Sequence, residues 1–317
     1  MKLTSTAVLL AALFTQSVLA QSTGRVFVTN ERSNTVSVIN GTTHQVEATI
    51  NIGKRPRGIG ISPDGSEVYV AISQENKIAV FDPESLKILR KFDAGDDPEA
   101  FAVHPNGNVY ISNEDSAKAT VIDPMDGDVV AEISVGLEPE GVAISPDGTR
   151  VIITSESTNM LHVISVPEHK IVSNILVGAR PRAATFTDDG KFSYATAEIG
   201  GEVIKVDMTT GKIVQNISLG DDKAKPKDIL LSKDGKHLYV AGGRLNQVMM
   251  LDSDSLSLIK GIPVGKRVWG LAMSKDGERL YSSNGVSSDV SIINTVTNTV
   301  IATTKVGQFP WGIVIDD

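Results

Sequence analysis

The chain contains no cysteine. Disulfides, thiol nucleophiles and thiolate metal ligands are therefore excluded, and stability must come from a packed core. Aromatic residues are scarce, at 5% of 317 residues, and two of them are tryptophan. After residue 20 no apolar run is long enough to cross a bilayer as a helix. There is no basic tail, and the net charge of −8 makes nucleic acid a poor partner. No G-x-S-x-G, H-E-x-x-H or P-loop occurs. Charged residues amount to 21% and are mixed in sign, which fits a folded globular chain.

The first twenty residues, MKLTSTAVLLAALFTQSVLA, have the layout of a secretory signal. Lys2 gives the positive start, Ala7 to Phe14 the apolar segment, and Val18-Leu19-Ala20 the small-residue cleavage site. The expectation is a signal peptide over 1–20, cleaved near Ala20, and one domain over 21–317. No cysteine follows the signal to carry a lipid anchor. Two sequons, Asn40-Gly41-Thr42 and Asn216-Ile217-Ser218, would matter only in a eukaryote.

The sequence repeats itself. Glycines recur at Gly53, Gly95, Gly136, Gly178, Gly220, Gly265 and Gly307, in steps of 42, 41, 42, 42, 45 and 42 residues. A capping residue ends an apolar run in the same steps, at Asn40, Asp82, Asp123, Ser165, Asp207, Asp252 and Asn294. Turns of the form SPDG, HPNG, TDDG or SKDG keep the same register from 62–65 to 274–277. Three markers in one register define seven repeats.

Each repeat holds four short runs rich in β-branched and aromatic residues, bounded by Gly, Pro, Asp and Asn. In one copy they fall at Gly58 to Ser62, Val68 to Ala71, Lys77 to Phe81 and Leu86 to Phe92, with Asp82 placed to cap its own turn. Seven repeats of four antiparallel strands predict an all-β fold, a seven-bladed β-propeller. The chain starts at a second strand, RVFVTN, and ends at a first strand, WGIVI. Pairing of these two would close the ring and leave no open edge.

The segments VFVTN (26–30), NTVSVIN (34–40) and RPRGIGISPDG (55–65) resemble the YVTN family of β-propeller repeats, as do VYISN (109–113) and LYSSN (280–284). As a secreted chain of seven such repeats, the protein is similar to bacterial propellers associated with PQQ-dependent alcohol catabolism. That resemblance implies a periplasmic location and a link to a process more than an activity. The repeats resemble, more distantly, the haem d1 propellers of nitrite reduction. His44, His104, His162, His169 and His237 all fall away from the channel mouth by register, which argues against haem ligation there and against a His acid or base. DMTTGK (207–212) lacks the tryptophan of a PQQ-docking repeat and reads as a turn.

In a propeller the first strand of each blade lines the channel. The loops leading into it therefore ring one mouth: RPR (55–57), DPE (97–99), EPE (138–140), RPR (180–182), KPK (225–227), RVW (267–269) and FPW (309–311). Proline fixes φ and restrains the residue before it, so the chain enters each strand alike. The flanking side chains sort into arcs. Asp97, Glu99, Glu138 and Glu140 are acidic; Arg180, Arg182, Lys225, Lys227 and Arg267 are basic, as are Arg55 and Arg57. Trp269 and Trp311 share one register beside Phe309. Three extra residues lie between Gly220 and Pro226.

Two readings stay open. Opposite charges on neighbouring loops, such as Arg57 with Glu99 and Glu140 with Arg182, would be exposed ion pairs worth under about 1 kcal/mol each. Alternatively, the basic arc and the indoles form a site for an anionic, partly aromatic ligand or an acidic partner patch. The expectation is a periplasmic, monomeric binding or accessory module without a required cofactor; neither PQQ nor a divalent cation has a motif. The alternative is a metal-assisted hydrolase of lactonase type using Glu99 and Glu140. The loop acids Glu31, Glu75, Glu114, Asp115, Glu156 and Glu198 could hold a hard cation, although their spacing matches no metal motif.

Overall fold

A computed structural model describes residues 22–317. The expected signal peptide lies outside the described residues. Seven four-stranded antiparallel sheets form the blades. Blade 1 is assembled from both ends of the chain: Pro310–Asp316 pairs with Arg25–Asn30, placing Val26 opposite Ile315 and Val28 opposite Ile313. Blade 2 follows with Pro56–Ile61, Val68–Ile72, Lys77–Phe81 and Ile88–Asp93. The inner strands of blades 3 to 7 are Pro98–Val103, Pro139–Ile144, Pro181–Phe186, Ile229–Leu231 and Val268–Met273. Among the described residues no helix is long and apolar enough to cross a membrane.

Burial follows from this layout. Second strands are sandwiched between neighbouring blades and are buried almost throughout, whereas the outermost strands alternate or face solvent. Phe27, Val36 and Val38 of blade 1 pack against Val68, Val70 and Phe81 of blade 2, and similar apolar clusters join the other blades. All five tyrosines, 69, 110, 194, 239 and 281, occupy one buried register of the second strand. Several tether to another blade: Tyr194 donates to the Ser253 carbonyl at 2.8 Å, and Tyr110 bonds His169 at 3.1 Å. The fourth strand of blade 2 starts at Ile88, two residues later than expected from the sequence. Asp82 accepts the N–H groups of Glu84 and Ser85, and Leu86 takes a φ of 60° to close that turn.

The inner strands share one irregularity. In blades 1 to 5 and in blade 7 the pairing register shifts just after the lead-in position, for example between Pro56 and Ile59 and between Pro139 and Val142. This bulge lifts two residues out of the ladder and turns the first of them to the channel. A hydroxyl from the second strand fills the gap in blades 1, 3, 4, 5 and 7. It accepts the backbone N–H of the second bulged residue and donates to the next blade. Thr154 accepts from Gly141 at 2.7 Å and donates to the Arg182 carbonyl at 3.2 Å. Thr29, Ser112, Thr196 and Ser283 do the same toward Arg57, Glu140, Lys227 and Trp311. The close approach keeps the residue after the ring residue small, and at Gly141 a Cβ would run into the Arg182 carbonyl.

In five of the six lead-ins that carry a proline, the residue before it is not extended, contrary to the usual steric effect of proline on its predecessor. Arg55, Asp97, Glu138, Arg180 and Phe309 have φ of 56°, 43°, 52°, 62° and 55°, as does Arg267 before Val268 at 59°. Each aims its carbonyl at the residue following the second strand, which donates to it: Glu31 to Phe309, Ser73 to Arg55, Glu114 to Asp97, Glu156 to Glu138, Glu198 to Arg180 and Gly285 to Arg267. These bonds offset the strain of the left-handed conformation.

Replacing Thr154 with Val keeps the shape but strands two buried backbone groups, on Gly141 and Arg182. The variant is expected to lose about 1–3 kcal/mol of unfolding free energy in denaturant titration, with an unchanged slope.

Candidate functional site at the channel mouth

The bulges place two concentric rings on the mouth. Arg55, Asp97, Glu138, Arg180, Lys225, Arg267 and Phe309 form the outer ring; Arg57, Glu99, Glu140, Arg182, Lys227, Trp269 and Trp311 form the inner one. The backbone bonds to the outer ring also fix Glu31, Glu114, Glu156 and Glu198 beside it. Loop acids weighed from sequence as donors to a hard cation thus stand against the arginines.

One side of the mouth is closed by ion pairs. Arg55 grips both Asp97 oxygens, at 2.9 and 3.0 Å, and lies 3.2 Å from Glu99 and 3.7 Å from Glu31. Arg57 pairs with Glu99 and stands 3.5 Å from Glu31. Arg182 bonds Glu140 at 2.5 Å and also pairs with Glu156, while Arg180 bonds Glu156 at 2.5 Å. Glu198 completes this group at 3.5 Å from Arg182. Lys227 reaches two blades around the ring to the same Glu140 oxygen, at 2.5 Å. The contacts Arg57–Glu99 and Glu140–Arg182 thus form as the sequence led us to expect, but they are not exposed. Glu99 is 0% and Glu140 4% accessible. A pair desolvated to this degree is costly to break, because one partner is left as a buried charge.

The charges on this side remain in tension. Burial and the adjacent Glu140 carboxylate push Glu99 well above the ordinary carboxyl range, against the pull of Arg57. Arg57 loses by burial but is raised on balance by Glu99, Glu140, Glu31 and Glu114. Asp97, Glu99 and Glu114 bring carboxylate oxygens within 4.8 Å of one another, a donor set suited to a hard cation. Arg55 and Arg57 already supply positive charge there.

The other side is open. Among the described residues Lys225, Arg244 and Arg267 form no ion pair. Burial and the surrounding guanidinium groups of Arg244, Arg182 and Arg180 hold Arg267 below its usual pKa, with Glu198 opposing. Arg267 lies 5.5 Å from the centre of the Trp269 ring, and Trp269 lies 6.1 Å from Phe309. Trp311 is flanked by Arg57 at 5.5 Å and Lys227 at 5.4 Å. Arg32 covers Phe309 at 3.7 Å. Of the residues considered for ligand binding from sequence, Arg55, Arg57, Arg180, Arg182 and Lys227 are therefore occupied by carboxylates. Lys225, Arg267, Trp269, Phe309 and Trp311 are not.

Beneath the inner ring the channel widens into a cavity of about 320 Å³, lined by Glu140, Arg182, Lys227, Trp269 and Trp311 among others. It also receives Asp228, which the sequence reading passed over, as it did Arg244 and Arg32. The signal for Asp228 was available: its register holds Gly or Ala in the other six repeats. The five histidines lie off the mouth as expected; His162 sits in a third strand, bonded to Asn174 and to the Gly136 N–H.

Residues 169–309 match the family model of the seven-bladed β-propeller lactonases, and residues 3–127 match that of YNCE-like β-propellers. No curated protein matches the chain in sequence. Among solved structures, the hydrazine synthase of Kuenenia stuttgartiensis superposes with a TM-score of 0.78 at 20% identity, covering 90% of this chain and 99% of that one. A candidate 6-phosphogluconolactonase of Bacteroides fragilis gives 0.77 at 20% identity, covering 94% and 100%. A protein of unknown function from Desulfotomaculum acetoxidans gives 0.80 at 17% identity, covering 92% and 98%. Likeness at these identities is likeness of fold.

Glu99 has a pKa above its ordinary 4.5 in the folded chain. The native state therefore binds this proton more tightly than the unfolded state, and stability falls as pH rises through the interval above 4.5. Glu99→Gln removes this contribution. Chemical denaturation between pH 4.5 and 8 should show a shallower loss of stability in the variant than in the parent protein.

Proposed function

We propose that the protein is a binding or accessory module whose channel mouth takes up a small anionic ligand with a planar or aromatic part. The observation that carries this reading is the division of the mouth. On one side every arginine of the two rings meets a carboxylate; on the other, Lys225, Arg244 and Arg267 remain without one, next to Trp269. Guanidinium groups beside an indole suit a planar anion through charge and stacking together. The similarity of the repeats to PQQ-associated propellers supports a periplasmic setting and a place beside PQQ-dependent alcohol oxidation. The layout of residues 1–20 supports secretion, with the propeller as the single mature domain. An acidic patch on a periplasmic partner would satisfy the same charges.

The two tryptophans both stand at the mouth, so intrinsic fluorescence reports on this site. Titration with phenylacetate or phenyl phosphate is expected to change the emission saturably. Arg267→Ala should weaken binding about tenfold, the size expected for a charge-assisted hydrogen bond. Emission that stays constant to millimolar ligand, or affinity indifferent to Arg267, would remove the proposal.

A second reading is metal-assisted hydrolysis of a lactone, favoured by the lactonase match over 169–309 and by the Asp97, Glu99 and Glu114 group. Glu99 and Glu140 would be its acids, yet both face cationic partners. A stoichiometric divalent ion in purified protein, lost in Glu99→Gln, is the outcome that would favour it.

A further inference from the structure

At the register of Asp228 the other six blades carry Gly58, Ala100, Gly141, Ala183, Gly270 and Gly312. They are small because the next blade crowds them: a Cβ on Gly312 would lie 2.8 Å from the Arg57 carbonyl oxygen. Blade 6 is built differently at this point. Its inner strand is short, and the paired ladder begins only at Ile229, opposite Val240, with Lys227 and Asp228 both set against Ala241. Lys227 donates to the Ala241 carbonyl at 3.0 Å, and Ala241 donates to that of Asp228 at 2.9 Å. Ala241 takes the place of the latch hydroxyl. The three extra residues ahead of Pro226 lie in the loop that delivers this short strand.

The Asp228 carboxyl therefore enters the channel at a site where the repeat has no side chain beyond a methyl group. Its oxygens are held by backbone alone: the N–H groups of Ile229 and Leu271 each donate at 2.8 Å. No cation pairs with it among the described residues. Lys227, its neighbour in the chain, is engaged by Glu140, which Arg182 also binds. Protein surrounds the carboxyl, yet part of its surface remains open to the cavity. Burial raises its pKa to about 6, with the two N–H donors opposing. Keeping an unpaired carboxyl in such a place is costly. Joining blade 6 to blade 7 does not demand it, since a neutral hydroxyl joins five other pairs of blades.

We propose that the channel cavity seats an uncharged, hydroxyl-bearing part of the ligand, with Asp228 accepting the hydrogen bond from that hydroxyl while the anionic end meets Lys225 and Arg267. This rests on the mouth reading given above and narrows it to hydroxylated aromatic or planar acids. An ammonium group in place of the hydroxyl is disfavoured, because Lys227 and Arg182 line the same cavity. The volume of about 320 Å³ falls at the small end of ligand pockets, roughly 300–1,000 Å³, which fits a compact molecule.

Three probes share one scaffold and differ at a single substituent: phenylacetate carries hydrogen, mandelate a hydroxyl and phenylglycine an ammonium. Calorimetry at pH 7.5 should find mandelate bound about tenfold more tightly than phenylacetate, as for a hydroxyl donating to a carboxylate. The gap should narrow below pH 6, where Asp228 takes up a proton, and close in Asp228→Asn. Phenylacetate should bind the variant at least as tightly as the parent, because a negative charge near its carboxylate is removed, whereas a general loss of structure would weaken it. If Asp228→Asn fails to fold, Asp228→Gly carries the residue of four other blades and serves instead. Equal binding of mandelate and phenylacetate, a gap that survives in the variant, or tighter binding of phenylglycine overturns the assignment of Asp228 alone. Failure of all three probes to bind overturns the mouth reading with it.

Discussion

A single hydroxyl in the second strand, repeated in five of seven blades, organises the centre of this protein. It closes the gap left by a bulge in its own inner strand and holds the backbone of the next blade. Where the two coincide they serve each other: the bulge frees an N–H that the hydroxyl accepts, and the hydroxyl also pairs a neighbouring carbonyl, whereas blade 2 keeps the bulge with Ala71 in the hydroxyl's place. The ring residue is turned into the channel as a consequence. The identity of its side chain is left free, because backbone and hydroxyl alone set the geometry. One frame can therefore carry Arg, Glu, Lys or Trp.

That freedom accounts for the asymmetry of the mouth. Left-handed residues at the outer ring pull loop acids inward, so Glu31, Glu114, Glu156 and Glu198 become neighbours of the ring and not solvated loop residues. Where arginines and these acids coincide, in blades 2 to 5, the charges neutralise one another at the cost of desolvation. Blades 6 and 7 bring Lys225, Arg244 and Arg267 beside Trp269, and the residues that follow their second strands, Gly242 and Gly285, supply no acid. The distinction between a structural and a ligand-binding basic residue follows from which acid the neighbouring loop delivers. It does not follow from the residue itself, as Arg182 and Arg267 show by opposite fates.

Blade 6 is the exception that defines the channel floor. Its inner strand is the shortest of the seven and Ala241 supplies no hydroxyl; Asp228 stands where crowding elsewhere admits only Gly or Ala. Departures from a repeat are informative in this way because the repeat states what the fold requires. A side chain exceeding that requirement, in a place where burial is costly, answers to something other than the fold.

The number of blades, their four strands and the closure by Pro310–Asp316 were legible in the sequence, because turn residues and period-two burial act over a few positions and recur in register. So were the lead-in residues that surround the mouth and the pairing of Arg57 with Glu99. The sequence did not disclose that these pairs are buried, that Arg180 and Arg182 are neutralised by loop acids, or that Asp228 opens into the cavity. Each of these depends on distances between residues roughly one or two repeats apart, fixed by the curvature of the ring and by backbone bulges. Local chemistry determined the blades; the closed ring decided which charges meet.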